Sequence, residues 1–145
     1  MFNYILNTAT KDQLLECLVL CDKDFYPILS SRVNLTEYAD KLFKRAINFE
    51  CWHKDRLAGI VSIYCEANGN TNAFITNVCV LPDYIGKGIA KDLIKRSIEY
   101  AKEAGKSEVK LEVGVSNLKV INLYSKLGFY EVEVKGNQMV MMLNI

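Results

Sequence analysis

The segment "PDYIGKGIAKDL", Pro82–Leu93, is the most informative stretch of this chain. Gly86 and Gly88 flank a single lysine, and a run with helical spacing follows them. Glycine adopts positive φ without strain and lets a ligand approach the main chain closely. The first amides of a helix lack intrahelical partners and carry a partial positive charge from the helix dipole. The segment is therefore either an ordinary turn or an anion-binding loop.

The segments on both sides of this loop predict a βαβ unit. The stretch "AFITNVCVL", 73–81, has strand character, and Pro82 ends it because proline cannot donate to a strand ladder. Its side chains should alternate between two faces. One face is predicted to hold Phe74, Thr76, Val78 and Val80, and the other Ile75, Asn77 and Cys79. A helix is predicted over Lys91–Ala104, and "EVKLEVGV", 108–115, is the next strand. Such a unit makes a parallel pair with a right-handed crossover.

The remaining segments predict short strands and capped helices around that unit. Thr10 with Gln13 forms a capping box for a first helix, and Asn34 begins a second helix in the same way. A last helix runs from Asn117 to about Leu127, where Asn117 is expected to cap it through its side chain. Turns are predicted at Lys54–Asp55, at 67–72 and at Lys135–Asn137.

These elements have the order β-α-α-β-β-β-α-β-α-β-β. The 145 residues suggest one domain, 1–145. The fold class is therefore α+β, with a central mixed, mostly antiparallel sheet that contains one parallel pair and is flanked by helices.

Composition excludes several function classes. The net charge is +1, which gives no electrostatic basis for binding nucleic acid or an anionic membrane. No segment approaches the roughly 18 apolar residues of a membrane span, and no signal peptide is visible, so a cytoplasmic protein is expected. The cysteines form no CxxC pair. Cys17 and Cys21 can share a helix face, but with His53 they make a poor zinc site, so no metal is predicted.

The loop fits two common phosphate-binding motifs badly. A Walker A loop needs four residues between its glycines, followed by Gly-Lys-Ser/Thr. A dinucleotide fingerprint needs Gly or Ala three residues after its second glycine, where this chain has Lys91. A bare Gly-x-Gly is a weak signal, so other parts of the sequence must identify the anion.

A different pattern matches the loop and continues beyond it. Gln/Arg-x-x-Gly-x-Gly/Ala is matched by Gly88 and Ala90, although Ile85 stands where Gln or Arg is usual. Further along comes an N-x4-N-x-Y-x3-GF string made by Asn117, Asn122, Tyr124, Gly128 and Phe129. On these residues the chain resembles the GCN5-related N-acetyltransferase (GNAT) superfamily, well over Phe74–Phe129 and in element order over its full length.

This resemblance implies acetyl-CoA as a co-substrate and no metal. The loop amides from Ile85 to Lys91 would hold its pyrophosphate, and the main chain at Val78 and Val80 would pair with the pantetheine arm. Asn117 and Asn122 match positions that contact the cofactor. The implied cofactor-binding residues are Val78, Cys79, Val80, Ile85, Gly86, Lys87, Gly88, Ile89, Ala90, Lys91, Asn117 and Asn122.

The resemblance also implies the chemistry, which is direct attack of a primary amine on acetyl-CoA in a ternary complex. Tyr124 is the candidate general acid that protonates the leaving thiolate, and its alternative is a core tyrosine on the last helix. Glu112, twelve residues before Tyr124, is the candidate base, and its alternative is a sheet glutamate satisfied by Lys110 or solvent. Cys79 as a nucleophile is a rival mechanism, but no histidine lies near it in sequence.

The acceptor is least determined. In the family its site is built by the segment between the first two helices and by the last hairpin, here Asp22–Leu35 and Lys135–Gln138. Candidate side chains are Asp22, Asp24, Tyr26, Arg32 and Trp52. A small amine or amino sugar is favoured over a protein N-terminus. The alternative function is a non-catalytic acyl-CoA sensor or assembly module, and the protein is expected to be a monomer or homodimer.

Overall fold

The computed structural model describes residues 1–25, 28–66 and 69–145. Its strands are β1 (Phe2–Leu6), β2 (Ile47–His53), β3 (Arg56–Tyr64), β4 (Asn72–Val80), β5 (Glu108–Gly114), β6 (Tyr130–Lys135) and β7 (Gln138–Asn144). Its α-helices are α1 (Lys11–Cys21), α2 (Leu35–Arg45), α3 (Ile89–Glu103) and α4 (Leu118–Lys126). The element order predicted from the sequence is confirmed.

The seven strands form one sheet in the order β1-β2-β3-β4-β5-β7-β6. Only β4 and β5 pair in parallel, and every other neighbouring pair is antiparallel. The α+β class and the single parallel pair are therefore as predicted. β6 is an edge strand, and its Val132 and Val134 are about half exposed.

The starts of α1 and α2 follow from local hydrogen bonding. The Thr10 hydroxyl accepts from the Gln13 amide at 3.1 Å, and the Gln13 side chain accepts from the Thr10 amide at 2.8 Å. This reciprocal pair satisfies two amides that the helix itself leaves unpaired. The Asn34 side chain accepts from the Glu37 amide at 3.0 Å in the same manner. Both predicted caps are confirmed.

The sheet separates two hydrophobic cores. On one face α3 and α4 pack through Leu93, Ile94 and Tyr124, among others, and we call this cluster the α3 core. On the other face α1 and α2 pack through Leu14, Leu18 and Leu42, among others, and we call this cluster the α1 core. A fully buried aliphatic side chain contributes roughly 1.5–3 kcal/mol, so both layers stabilise the sheet between them. Among the described residues, no helix is long and apolar enough to cross a membrane.

A β-bulge in β4 changes which side chains face each core. Ser62 of β3 pairs with Asn77, but the next residue pairs with Ile75, so Thr76 is the additional residue. An additional residue shifts the alternation by one position. Side chains on both sides of the bulge therefore reach the α3 core, namely Ala73, Ile75, Val78 and Val80, while Cys79 reaches the α1 core. The predicted uninterrupted alternation along 73–81 is wrong.

The N-terminus of α3 differs slightly from the prediction. The helix begins at Ile89 rather than Lys91, and Gly88 at its N-cap position has a left-handed backbone with φ 78°, which glycine adopts without strain. Ile89 is buried at 2% exposure and packs over Gly59 of β3. A Cβ on Gly59 would lie 3.0 Å from Ile89 Cγ2, so this glycine allows the close approach of helix and sheet.

The predicted turns are observed where the structure describes them. Lys54 has φ 57° between β2 and β3, and Gly136 has φ 59° between β6 and β7. Part of the predicted turn at 67–72, Ala67 and Asn68, lies outside the described residues.

Candidate active site

The two parallel strands pair over only part of their length. Asn72–Ile75 pairs with Glu108–Leu111 and the pairing then stops. β4 nevertheless continues to Val80 against β3, and β5 continues to Gly114 against β7. The two strands therefore diverge from Thr76 and Glu112 onward. We call the space between these unpaired edges the β4–β5 opening. The predicted main-chain contacts at Val78, Cys79 and Val80 lie along it.

Tyr38 contacts the backbone of β4 where the β4–β5 opening begins. Its hydroxyl, reaching from α2, donates to the Thr76 carbonyl at 2.7 Å and lies 2.8 Å from the Thr76 side-chain oxygen. Burial raises the pKa of Tyr38 to about 12, so the hydroxyl remains a donor through the neutral range. Thr76 is also the bulged residue, and Tyr38 thus fixes the bulge that separates the strands. Sequence patterns gave no signal for either role.

The glycine loop ends at a set of amides that have no backbone hydrogen-bond partner. The first bond of α3 runs from the Asp92 amide to the Gly88 carbonyl at 3.0 Å. Within the part of the chain that is described, the amides of residues 86–91 donate no backbone hydrogen bond. These amides lie at the positive end of a fifteen-residue helix, α3. The loop therefore has the donors and the helix dipole that an anion site requires.

The two loop glycines are needed for their backbone conformation. Gly86 and Gly88 have φ of 85° and 78°, in the left-handed region, and no heavy atom lies within 4 Å of a Cβ built on either. Lys87 and Lys91 are exposed beside them. Ile85, the departure from the family pattern, exposes 51% of its surface. Its position in the loop is thus compatible with a contribution through the main chain.

Tyr124 lies in the core on the α3 side of the sheet. It is 5% exposed, and its ring packs against Phe129 with centroids 5.9 Å apart. Burial raises the pKa of the phenol well above its usual range near 10. The group is therefore protonated at neutral pH, as a general acid must be.

One asparagine of the predicted site lies at the N-cap of α4 and the other on the helix itself. Asn117 occupies the N-cap position, and its carbonyl accepts from the Ile121 amide at 3.0 Å. Its side chain makes no capping bond, so the predicted side-chain cap is wrong. The residue departs from the extended conformation of an ordinary N-cap, with φ −87° and ψ 67°. Asn122 is exposed one turn before the end of the helix.

Glu112 lies on the opposite face of the sheet from Tyr124. Its β5 neighbours Leu111 and Val113 point into the α3 core, so Glu112 points to the α1 and α2 face, where it is exposed. The salt bridges observed among the described residues join other side chains. The alternative partner, Lys110, is therefore not within ion-pair distance. The phenol of Tyr124 and the carboxylate of Glu112 therefore lie on opposite faces of the sheet.

The surroundings of Cys79 disfavour a role as a nucleophile. Its sulfur lies 3.5 Å from that of Cys17, within the α1 core rather than in the β4–β5 opening. Burial raises the pKa of the Cys79 thiol, which disfavours the reactive thiolate. His53 Nδ1 lies 3.0 Å from the Tyr84 hydroxyl, on β2 and away from β4.

The predicted acceptor residues are dispersed. Asp22 accepts two hydrogen bonds from Ser30, each at 2.7 Å, and so shapes the segment between α1 and α2. Trp52 donates to Glu50 at 3.0 Å on β2, which β3 separates from β4. Asp24 and Arg32 are exposed, and Tyr26 lies outside the described residues. The structure does not bring these side chains together.

The structure also contains a basic cleft that the sequence patterns did not predict. It has a volume of about 380 Å³, and its lining includes Lys41, Arg45 and Lys110, with Glu66 as an acidic member. Lys110 lies two residues before Glu112 on the same face of β5, a separation of about 7 Å along a strand. The alternation of β5 could have indicated Lys110, but the two α2 residues join it only through tertiary packing.

Comparisons with known proteins identify the family. The model of the acetyltransferase (GNAT) family matches residues 12–129. An uncharacterized N-acetyltransferase of Methanocaldococcus jannaschii is 33% identical over 141 residues, which cover 90% of this chain. The chain spans 62% of the length of that relative. The ribosomal protein bS18-alanine N-acetyltransferase of Escherichia coli K12 is 26% identical over 114 residues, 75% of each chain.

Solved structures show the same fold. The ribosomal-protein-S18-alanine N-acetyltransferase from Escherichia coli superposes with a TM-score of 0.81 at 22% identity, over 100% of this chain and 94% of its own. PaiA N-acetyltransferase from Thermoplasma acidophilum, in complex with coenzyme A, gives 0.78 at 17% identity over 99% of both chains. The resemblance predicted from the loop and the Asn-Tyr-Gly-Phe string is confirmed, and the chain belongs to the acetyltransferase (GNAT) family.

Proposed function

We propose that the protein is an N-acetyltransferase that moves the acetyl group of acetyl-CoA to a primary amine by direct attack in a ternary complex. One observation supports this most strongly. β4 and β5 separate beyond Ile75 and Leu111, the loop amides at the start of α3 lack backbone partners, and Tyr124 and Glu112 lie on opposite faces of the sheet. Such an opening accommodates a thioester between an acid and a base without a metal ion.

Acetyl-CoA is the proposed co-substrate. Its pyrophosphate would accept hydrogen bonds from the amides of residues 86–91, each contributing roughly 1.5–3 kcal/mol. Its pantetheine arm would run along the unpaired edge of β4 at Val78 and Val80, as an added strand does. Asn117 and Asn122 lie on α4, the helix that also holds Tyr124, where they can contact the same arm. The solved relative in complex with coenzyme A supports this choice of co-substrate.

Tyr124 is the proposed general acid. When the amine attacks the thioester carbonyl and the C–S bond breaks, the leaving thiolate needs a proton. A buried phenol with a raised pKa carries that proton throughout the neutral range. Tyr124 would donate it from the α3 side of the opening.

Glu112 is the proposed base. A lysine-type amine has a pKa near 10.4 and an α-amine near 7.7–8.0, so most acceptor molecules are charged at neutral pH. Only the neutral amine attacks. A carboxylate on the α1 and α2 face can take this proton, directly or through water, as the acceptor enters from that face.

The basic cleft suggests a feature of the acceptor. Lys41, Arg45 and Lys110 outnumber Glu66, so the cleft favours an acceptor that has an acidic group near its amine. The Escherichia coli relative is named for acetylating an alanine of a ribosomal protein. This keeps a protein N-terminus among the acceptors, beside the small amines and amino sugars expected from the sequence.

Release of the CoA thiol in the presence of an amine panel tests the proposal. The panel contains an amino sugar, a small diamine, and two peptides with N-terminal alanine that differ only in Asp or Lys at the second position. We expect acetyl-CoA to raise the melting temperature and at least one amine to release CoA, the Asp peptide faster than the Lys peptide. Stabilisation without CoA release from any amine would instead indicate the non-catalytic acyl-CoA sensor.

A further inference from the structure

Three cysteine thiols meet inside the α1 core. The sulfur atoms of Cys17, Cys21 and Cys79 all lie within 4.8 Å of one another, and those of Cys17 and Cys79 are 3.5 Å apart. Cys17 and Cys21 are one turn apart on α1, whereas Cys79 comes from β4 in the sheet beneath. Each of the three residues is at most 2% exposed. The proposed acetyl transfer uses none of these thiols.

The side chains of the cluster offer only sulfur donors. Among the described residues, the potential metal-binding group at this position contains no histidine and no carboxylate. The side chains of the same core are apolar, including Leu14, Leu18, Ile60 and Leu81, each at most 1% exposed. A fourth ligand from a side chain or from bulk water is therefore not at hand. Three thiol ligands restrict which metal ion can bind, because the number and the softness of the ligands determine the preferred ion.

We propose that Cys17, Cys21 and Cys79 form a buried site for a soft, three-coordinate metal ion, with Cu(I) as the ion that fits best. Thiolates favour Cu(I), whereas Mg²⁺ and Ca²⁺ require oxygen ligands. Structural Zn²⁺ is almost always held by four ligands, one more than this site supplies.

The spacing of the sulfurs suits such an ion. At a metal–sulfur distance of about 2.3 Å, three sulfurs at the corners of a triangle are about 4 Å apart. The three observed sulfurs lie within 4.8 Å of one another, and one pair is 3.5 Å apart, so side-chain rotations that move each sulfur by about an ångström or less would bring them to this spacing. Binding releases thiol protons to solvent, and the ion joins α1 to β4.

A disulfide between Cys17 and Cys79 is the main competing use of these thiols. The S–S bond is about 2.05 Å long, so the two sulfurs would have to move closer than their present 3.5 Å. It would also require an external oxidant and would leave Cys21 unused. The arrangement of three sulfurs is better explained by one central ion.

The test is an anaerobic titration of the reduced, metal-free full chain with Cu(I) against a colorimetric Cu(I) chelator. The background variant carries Cys51→Ala and Cys65→Ala, which removes the two cysteines outside the cluster. We expect this background to bind one Cu(I) per chain and to melt at a higher temperature when loaded. Cys17→Ala, Cys21→Ala and Cys79→Ala, made singly in it, should each weaken binding by more than the ~10–100-fold typical of losing an outer partner. Zn²⁺ should bind more weakly than Cu(I).

Three results would overturn the proposal. The first is unchanged Cu(I) affinity in any of the three single variants. The second is loss of binding on replacing Cys51 and Cys65 alone, which would place the ion elsewhere. The third is a Cys17–Cys79 disulfide in the isolated chain that resists reduction. The melting temperature of each metal-free variant shows whether it folds, and Cys21→Ser provides a second variant if Cys21→Ala does not. Because the readout is metal binding, the result is independent of whether acetyl transfer occurs.

Discussion

At the residue scale, the proposed chemistry depends on Tyr124 and Glu112, which lie on opposite faces of the sheet. They differ in burial as their roles require. The phenol is 5% exposed and is kept protonated by that burial, whereas the carboxylate faces solvent on the side from which an amine can enter. The roles can therefore be separated by two conservative substitutions that retain the shape of each side chain.

Tyr124→Phe should lower kcat by roughly 10²–10⁴-fold while leaving the KM for acetyl-CoA nearly unchanged. The phenylalanine ring keeps the packing against Phe129, so the variant should fold. In the unmodified protein, the raised pKa of Tyr124 should keep kcat from falling on the alkaline side below about pH 10. Steady-state kinetics over pH 6–10 check both statements. Tyr130→Phe, at an exposed tyrosine on β6, is the matched control, and a kcat for Tyr124→Phe equal to that of the control contradicts the assignment.

Glu112→Gln should lower kcat/KM by roughly 10²-fold and remove the acidic limb caused by protonation of the carboxylate. The titration of the amine itself remains in both profiles, so the comparison isolates the carboxylate. Glu108→Gln is the control, because Glu108 lies on the same strand but at its other end, between Asn72 and Asn144. If the acidic limb persists in Glu112→Gln, the base is another group.

At the element scale, the loop and α3 form one unit, and the anion site proposed for it depends on left-handed glycines. Gly88 and Gly105 lie next to the two ends of α3, with φ of 78° and 82°, and a Cβ on either meets no heavy atom within 4 Å. They therefore share the same backbone strain on substitution and differ only in their distance from the proposed pyrophosphate. This makes them a matched pair.

Gly88→Ala and Gly105→Ala should each lower the free energy of unfolding by about 1–2 kcal/mol, because an L-residue is strained at these φ values. Only Gly88→Ala should also weaken acetyl-CoA binding, by roughly 10-fold or more, because a Cβ at this left-handed position shifts the loop amides or blocks the phosphate, and one charge-assisted hydrogen bond contributes about 1.5–3 kcal/mol. Urea denaturation and isothermal titration measure the two effects. Equal acetyl-CoA affinities in the two variants would show that the phosphate lies away from this loop.

Much of the fold could be predicted at this scale because its signals are local. The caps at Thr10 and Asn34 use residues three positions apart, and the βαβ unit follows from strand, helix and strand in order. The bulge at Thr76 could not be predicted, since it exists only in the pairing of β3 with β4. The same holds for the contact of Tyr38 with Thr76, which joins residues 38 positions apart.

The residues of the candidate site also divide into those that local sequence patterns predicted and those that only tertiary packing brings together. Its loop and α4 residues were predicted because they form continuous motifs. The third thiol of the cysteine cluster was not, because Cys79 is 62 positions from Cys17 and meets it only when α1 packs on the sheet. Alternation did not help, since the bulge between Ile75 and Asn77 shifts the faces of β4.

At the scale of the whole molecule, the sheet is stabilised from both faces and also by buried polar groups that reach across elements. Glu50, 1% exposed on β2, accepts hydrogen bonds from the amides of Thr8 and Ala9 and from Trp52, and so joins the start of α1 to the sheet. Tyr38 similarly joins α2 to β4. The Tyr38 hydroxyl donates only while it is protonated, which makes the stability of the whole chain depend on pH.

The free energy of unfolding should therefore decline at alkaline pH. Burial raises the folded-state pKa of Tyr38 to about 12, whereas in the unfolded chain it is about 10. A raised pKa means that the stabilisation is complete below about pH 10 and is lost as pH rises toward about 12, by up to roughly 2–3 kcal/mol. Tyr38→Phe should be less stable at pH 7 by about 1–3 kcal/mol, because the Thr76 carbonyl loses its donor. Urea denaturation from pH 7 to pH 11 should then show a shallower alkaline decline for Tyr38→Phe than for the unmodified protein. Tyr130→Phe should follow the unmodified protein, and parallel declines of all three chains would mean that Tyr38 is not the group responsible.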